Sequence, residues 1–339
     1  MPDYKASDQR RATQNASPDI LFEPDMLAST PQSLFLGNRG NKARLISHKM
    51  TKMEVAGISC SQSRADAAHQ ICTTALTAAH IIQRPVVLVG TDTDLLVMLI
   101  DAALPSMDIY MQFPNNPVKL YDINSVIQSL HPAVKRHLLF AHAITGCDTV
   151  SALFGMGKQK ALSVLERGED NWVTLDIFKQ PDATRDEIAE AGEKFLLKLY
   201  GATQSNSLDK YRYVRYMQQV SNTSLTSAGF KLESLPPTSA AAKFHAFRTY
   251  HTVQQWLGND ALAATDWGWQ AKEGALSPVG SDQPVAPDRV LRIVSCGCKA
   301  GCGRRCKCQK AGLYCTPMCS TCMGQTCANL FEEGNDMLT

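Results

Sequence analysis

The chain has 339 residues, 44% of them apolar, and a formal net charge of +2. That length and apolar fraction supply enough core for one or two domains and exclude bulk disorder. No apolar run approaches the roughly 18 residues of a membrane span, and the opening MPDYKASDQRRATQ lacks the apolar centre of a secretory signal, so an intracellular chain with no membrane partner is expected.

Residues 1–32 are polar, rich in Pro, Ser and Thr, and read as an irregular N-terminus. Asn41–Gly57 places Leu45, Ile46, Met50 and Met53 on one helical face, and Ile58–Cys60 is a short strand candidate. Ala65–His80 predicts a second helix, with apolar residues recurring at three and four. Val86–Val89 then reads as a buried parallel strand, broken at Gly90 and followed by Asp92 and Asp94. Ligands of α/β sheets bind at the C-terminal ends of such strands. The same Asp-x-Asp also suits a helix N-cap with a solvated neighbour, and both readings stand at this point. Asp108–Phe113 and Val118–Asp122 flank a Pro-Asn-Asn-Pro turn and predict two further strands, with helices near Ile123–Leu130 and Leu138–Ile144. Alternating helix and strand predicts an α/β sheet.

Gly146-Cys147-Asp148 precedes Gly155-Met156-Gly157-Lys158, which opens a periodic helix. Glycine amides and a lysine at a helix start suit a phosphate; a tight turn between helices is the other reading, and the P-loop spacing is absent. Residues 169–273 are expected to be a helical extension, best marked over Glu187–Tyr200 and Ala240–Leu257, with Trp256, Trp267 and Trp269 as packing aromatics. The Pro/Gly/Ser-rich stretch 274–290 reads as a linker. Residues 331–339 form an acidic tail.

Nine of the twelve cysteines fall between Cys296 and Cys327: Cys296, Cys298, Cys302, Cys306, Cys308, Cys315, Cys319, Cys322 and Cys327. This density predicts thiolate coordination of zinc rather than a disulfide framework. Three zinc ions take twelve bonds, which nine thiolates supply if three of them bridge; two separate four-cysteine sites leave one cysteine over. The Cys-x-Cys steps favour the shared cluster. Lys299, Arg304, Arg305, Lys307 and Lys310 lie among the ligands, offset the negative charge and suit DNA phosphates. Such a segment folds only with its metal.

This spacing, closing in Cys-Ala-Asn, resembles over roughly Ser295–Asn329 the tesmin/TSO1-like CXC domain, a DNA-binding zinc module, and the expected zinc domain is 291–330. Arg305 stands where the tesmin branch has a minor-groove tyrosine, so that branch's sequence preference is not carried over. Upstream, the paired acids Asp92 and Asp94, the Gly-Cys-Asp ending at Asp148 and the GMGK helix resemble, in that order, the flap-endonuclease/XPG branch of the PIN-like nucleases. The run Arg64-Ala65-Asp66 matches its acid-Ala-acid helix. The resemblance spans about Leu34–Arg167, within an expected domain at 33–168, and implies a PIN-like three-layer α/β/α fold with a mainly parallel sheet. It also implies Asp66, Asp92, Asp94 and Asp148 as catalytic carboxylates for Mg²⁺ or Mn²⁺, and Gly155, Gly157 and Lys158 as DNA-binding residues. Two departures are visible. Arg64 replaces an acid, and the family's first strand, with its Asp-Gly, has no counterpart, so the domain is expected to start just after it. The whole arrangement resembles metazoan proteins of mobile-element origin. The expected function is a nuclear DNA-binding zinc protein with a degenerate nuclease-like domain. The alternatives are an active metal-dependent, structure-selective nuclease and a non-enzymatic zinc-dependent protein-interaction scaffold with protein partners undefined.

Overall fold

The computed structural model describes residues 17–23, 26–27, 29–63, 67–115, 117–168, 172–202, 204–222, 232–272, 275–283, 296–299, 301–312, 314–315, 319, 321–323 and 326–329. Arg64-Ala65-Asp66, the first sixteen residues and the acidic tail lie outside them. The chain divides into two units, Met1–Gly280 and Ser281–Thr339. About half of the described residues are helical, with two small sheets, so the molecule is a mixed α/β protein.

In the first unit, α1 (Gln32–Gly37) and α2 (Arg39–Val55) meet at Asn38, whose side chain accepts from the amides of Gly40 and Asn41. No strand forms over Ile58–Cys60; the segment is irregular. In α3 (Ala67–Ile82) the small residues Ala68, Cys72, Ala75 and Ala79 make a buried stripe at helical spacing. A strand, β1 (Val86–Val89), leads into α4 (Thr93–Ala102), and α4 into β2 (Ile109–Phe113). A long apolar helix between two strands lets them pair parallel, and β1 pairs with β2 from Val86↔Ile109 to Val89↔Gln112.

The sheet then departs from the mainly parallel expectation. β3 (Lys119–Asp122) pairs antiparallel with β2, from Tyr110↔Asp122 to Phe113↔Lys119. The connection across Pro114–Pro117 is too short for a crossover and long enough only for a hairpin. The strand order is β1-β2-β3, and one of its two pairings is parallel.

The helices α5 (Ile123–Ser129), α6 (Pro132–Arg136), α7 (Leu138–Ile144) and α8 (Lys158–Glu166) follow. Beyond a 3₁₀ segment at Val173–Lys179 come α9 (Arg185–Leu199), α10 (Leu208–Asn222) and α11 (Ser239–Trp256). A capping box at Thr184 and Glu187 starts α9, and Thr238 caps α11. α7 and α11 run through the middle of the core. Phe140 of α7 meets Phe178 at 4.4 Å and Phe195 at 4.9 Å between ring centroids, and Tyr250 of α11 meets Trp267 at 4.3 Å. Trp256, Trp267 and Trp269 are all buried, in keeping with their reading as packing aromatics.

The helical reading of 169–273 and the linker reading of 274–290 both need correction at one place. β4 (Trp269–Lys272) and β5 (Ala275–Pro278) form an antiparallel hairpin. Leu276 is buried, and Arg248 of α11 donates to the carbonyl oxygens of Gly268 at 3.2 Å and Val279 at 2.7 Å. A buried leucine and an arginine clamp hold these residues to the first unit, which composition alone does not register.

The described part of the second unit has one helical turn, α12 (Lys307–Lys310). Every buried residue described in it is a cysteine.

Candidate metal centre

Cys296, Cys302, Cys306, Cys308, Cys315, Cys319 and Cys322 are buried, and the half-buried Cys298 and Cys327 pack against them. All nine are free thiols. The Sγ–Sγ separations are 3.6 Å for Cys296–Cys302, 3.8 Å for Cys296–Cys315, 3.9 Å for Cys306–Cys315 and 3.7 Å for Cys308–Cys319. A disulfide requires about 2.05 Å. A zinc ion holding four sulfurs at about 2.3 Å sets them at tetrahedron edges of about 3.8 Å. The thiols therefore stand at the spacing of zinc ligands.

Three sets of four sulfurs each converge within 4.8 Å: Cys296, Cys302, Cys306 and Cys315; Cys296, Cys315, Cys319 and Cys322; and Cys302, Cys315, Cys322 and Cys327. Cys315 belongs to all three sets, and Cys296, Cys302 and Cys322 to two each. Sets that share members are those of a cluster, not of isolated sites. Cys298 and Cys308 fall outside these sets, though Cys308 touches Cys319. Cys315 is fixed by its amide, which donates to the Asn329 carbonyl at 2.7 Å, and by the Asn329 side-chain amide 3.5 Å from its sulfur. That interaction accounts for the asparagine of the closing Cys-Ala-Asn.

The thiols differ in acidity. The Gln309 backbone N–H aimed at Cys306 lowers its thiol to about 6, whereas burial pushes Cys308 up to about 12 and raises Cys302 and Cys315. Metal must displace protons from the raised thiols, so loading releases protons and weakens as pH falls. Between the thiols the chain turns outward: Lys299, Arg304, Arg305, Lys307 and Lys310 are all exposed. Sulfur points in and cationic charge points out. The all-sulfur donor set and its spacing fit zinc.

The acidic constellation has a different geometry. Asp92 is exposed and caps α4, its Oδ1 accepting from the Asp94 amide at 2.9 Å. The cap reading is therefore what the structure shows for Asp92. Asp94 is buried at 9% exposure, and a 2.6 Å hydrogen bond joins its Oδ1 to His142 Nε2 of α7. Asp148 is exposed, and Asp66 lies outside the described residues. Among the described residues, sets of three or more His, Cys, Asp or Glu ligand atoms converging within 4.8 Å occur only in the cysteine cluster. Mg²⁺ and Mn²⁺ are hard cations that take several converging oxygens, and the described carboxylates offer no such convergence in support of them.

Lys158 is turned inward as well. Its ammonium donates to the carbonyl oxygens of His142 at 2.7 Å and Gly146 at 2.6 Å, and to Thr145 Oγ1 at 3.3 Å. It closes the C-terminal end of α7, where carbonyls lack intrahelical donors. Burial lowers its pKa, and the charges of Cys147 and Asp94 oppose that. The glycines have backbone roles: Gly155 takes φ +67°, and at Gly146, φ +109°, a Cβ would stand 2.6 Å from Ala152 Cα. Gly157 is the N-cap of α8.

Sequence reasoning missed His142. The readable signal was a single titratable residue inside the apolar run Leu138–Ile144, which a buried helix tolerates only with a partner. No family model, no curated protein and no solved structure matches this chain. No helix among the described residues is long and apolar enough to cross a membrane.

Proposed function

We propose that the chain is a nuclear, zinc-dependent DNA-binding protein. In this reading the second unit is a tesmin/TSO1-like CXC module folded around about three zinc ions. Residues 33–168 derive from a PIN-like, flap-endonuclease-related three-layer domain that no longer holds a catalytic metal. One observation carries the proposal: overlapping four-sulfur sets lie inside a shell of five exposed cations. The cluster supplies the fold and leaves the surface free to carry charge toward phosphates. The degenerate reading of the upstream domain is supported by Asp94 bonded to His142 and Lys158 bonded to α7 carbonyls, each occupied by its own chain.

The test has three arms on the full chain. Metal analysis returns about three zinc per chain for tetrahedral sites with bridging thiolates, and two or fewer overturns the shared cluster. Duplex DNA binding weakens with salt at a log–log slope of about −0.9 per phosphate contacted, and undetectable or salt-independent binding overturns the DNA assignment. Flap, nicked and single-stranded DNA stay intact with Mg²⁺ or Mn²⁺; cleavage that disappears in Asp92→Ala overturns the degenerate reading.

A further inference from the structure

A cavity of about 160 Å³ lies where α3, α4, α7 and the end of α11 meet. Its floor is buried and comes from all four helices: Cys72, Met98, Leu139 and Trp256. Its rim reaches solvent at Thr73, Ala102 and Leu257. The floor is fixed and uncharged. Trp256 is braced by the His142 ring, 5.7 Å away between centroids. The Cys72 thiol donates to the Leu95 carbonyl at 3.6 Å, and burial pushes its pKa up to about 12, so it stays protonated.

Two polar groups of the lining satisfy each other, His69 Nε2 standing 3.4 Å from Thr73 Oγ1. Asp101, which also lines the cavity, keeps capacity in reserve. Its side chain is 9% exposed, and its Oδ1 accepts from Lys179 Nζ at 2.6 Å. Lys135 Nζ donates to its backbone carbonyl at 2.7 Å and so holds the residue from the other side. A carboxylate accepts at both oxygens, and among the described residues Lys179 is its one donor, which leaves Oδ2 able to take another.

We infer that this cavity binds a single neutral aromatic ring carrying a hydrogen-bond donor, with the donor given to Asp101. Size sets the first limit: an apolar cavity of about 150 Å³ takes one benzene-sized molecule. The floor sets the second, because an indole face and the Met98 thioether both favour a ring over an aliphatic guest. Charge sets the third. An anion would meet Asp101, and a cation would meet Lys179 and Lys135, which already repel each other. A neutral donor leaves the Asp101–Lys179 pair whole and gains a hydrogen bond to a carboxylate, the stronger kind. This inference does not rest on the DNA-binding reading.

Ligand-observed NMR titration of the zinc-loaded full chain tests it, with phenol as the probe at neutral pH, where phenol is uncharged. A ligand with so few heavy atoms in a fitted pocket should show a dissociation constant of about 1 mM or tighter. Anisole keeps the ring and loses the donor, and cyclohexanol keeps the donor and loses the ring; each should bind about tenfold more weakly. Asp101→Asn should weaken phenol about fivefold and leave anisole unchanged. Where that variant lowers the thermal midpoint, the phenol-to-anisole ratio on the unaltered chain decides. Ala102→Phe, at an exposed rim position, fills the mouth and should abolish phenol binding. No phenol binding up to about 10 mM overturns the inference. So does anisole or cyclohexanol binding as tightly as phenol, or phenol binding that either folded variant leaves unchanged.

Discussion

The two units solve the same problem with different chemistry. Met1–Gly280 is organised by apolar burial, with Phe140, Phe178, Phe195, Tyr250, Leu99 and Ile109 essentially sealed from solvent. In the unit beginning at Ser281 the buried residues described are thiols alone. A small segment whose described residues bury no aliphatic side chain gains little there from desolvation to offset its chain entropy, so its stability is expected to come from coordination bonds. The first unit should therefore be indifferent to metal and sensitive to cavities, and the second the reverse.

The largest expected effect is chelation. Structural zinc contributes about 10–16 kcal/mol to small thiolate domains, so EDTA should unfold the second unit outright. All four tryptophans, Trp172, Trp256, Trp267 and Trp269, lie in the first unit. Their fluorescence melt should not move on chelation, while the cobalt-substituted protein loses its thiolate charge-transfer band. A tryptophan transition that shifts with metal removal breaks the comparison. Next in size, Phe195→Ala should cost the first unit about 3–5 kcal/mol, because its ring packs between Phe140 at 4.9 Å and Trp172 at 5.4 Å. Zinc content, measured on the same preparation, should be unchanged.

Acid acts on both units by different routes. Burial depresses His245 and His137 to about 4. The unfolded chain then binds protons that the native one refuses, so stability is full above about 6.5 and falls as pH drops toward 4. The loss from His245 alone approaches about 3 kcal/mol, readable as a falling tryptophan-detected midpoint. The second unit should instead release zinc as thiols take up protons, which a metallochromic dye follows without any tryptophan change. The smallest effect is electrostatic. Arg304→Ala or Arg305→Ala should leave metal content intact and make the salt slope of DNA binding shallower by about 0.9 for each phosphate no longer neutralised.

The sequence was most legible where one local rule acts alone. Apolar periodicity located α3, α7 and α9 within a few residues, and the Val-rich run with its Gly90 breaker located β1. The density of the cysteines announced their convergence. Legibility failed where a residue answers to distant chain. Nothing near Ala275–Pro278 reveals that Leu276 is buried or that Arg248 receives the hairpin. Asp94 reads from the sequence as part of an acidic motif, and its hydrogen-bond partner lies 48 residues away on α7. Lys158 likewise looked free for a phosphate until the C-terminal carbonyls of α7 claimed it. Motif spacing records which groups a chain owns, and folding decides whether they remain available.

The inward sulfurs and outward cations of the second unit also bear on how its sequence can drift. Interstitial positions such as Arg304, Arg305, Lys307 and Gln309 are exposed and bury nothing. Their substitution is therefore uncoupled from folding, whereas loss of Cys315 strikes three ligand sets at once. If this surface binds DNA as proposed, selection can rewrite what it recognises, one side chain at a time, while the nine cysteines stay fixed.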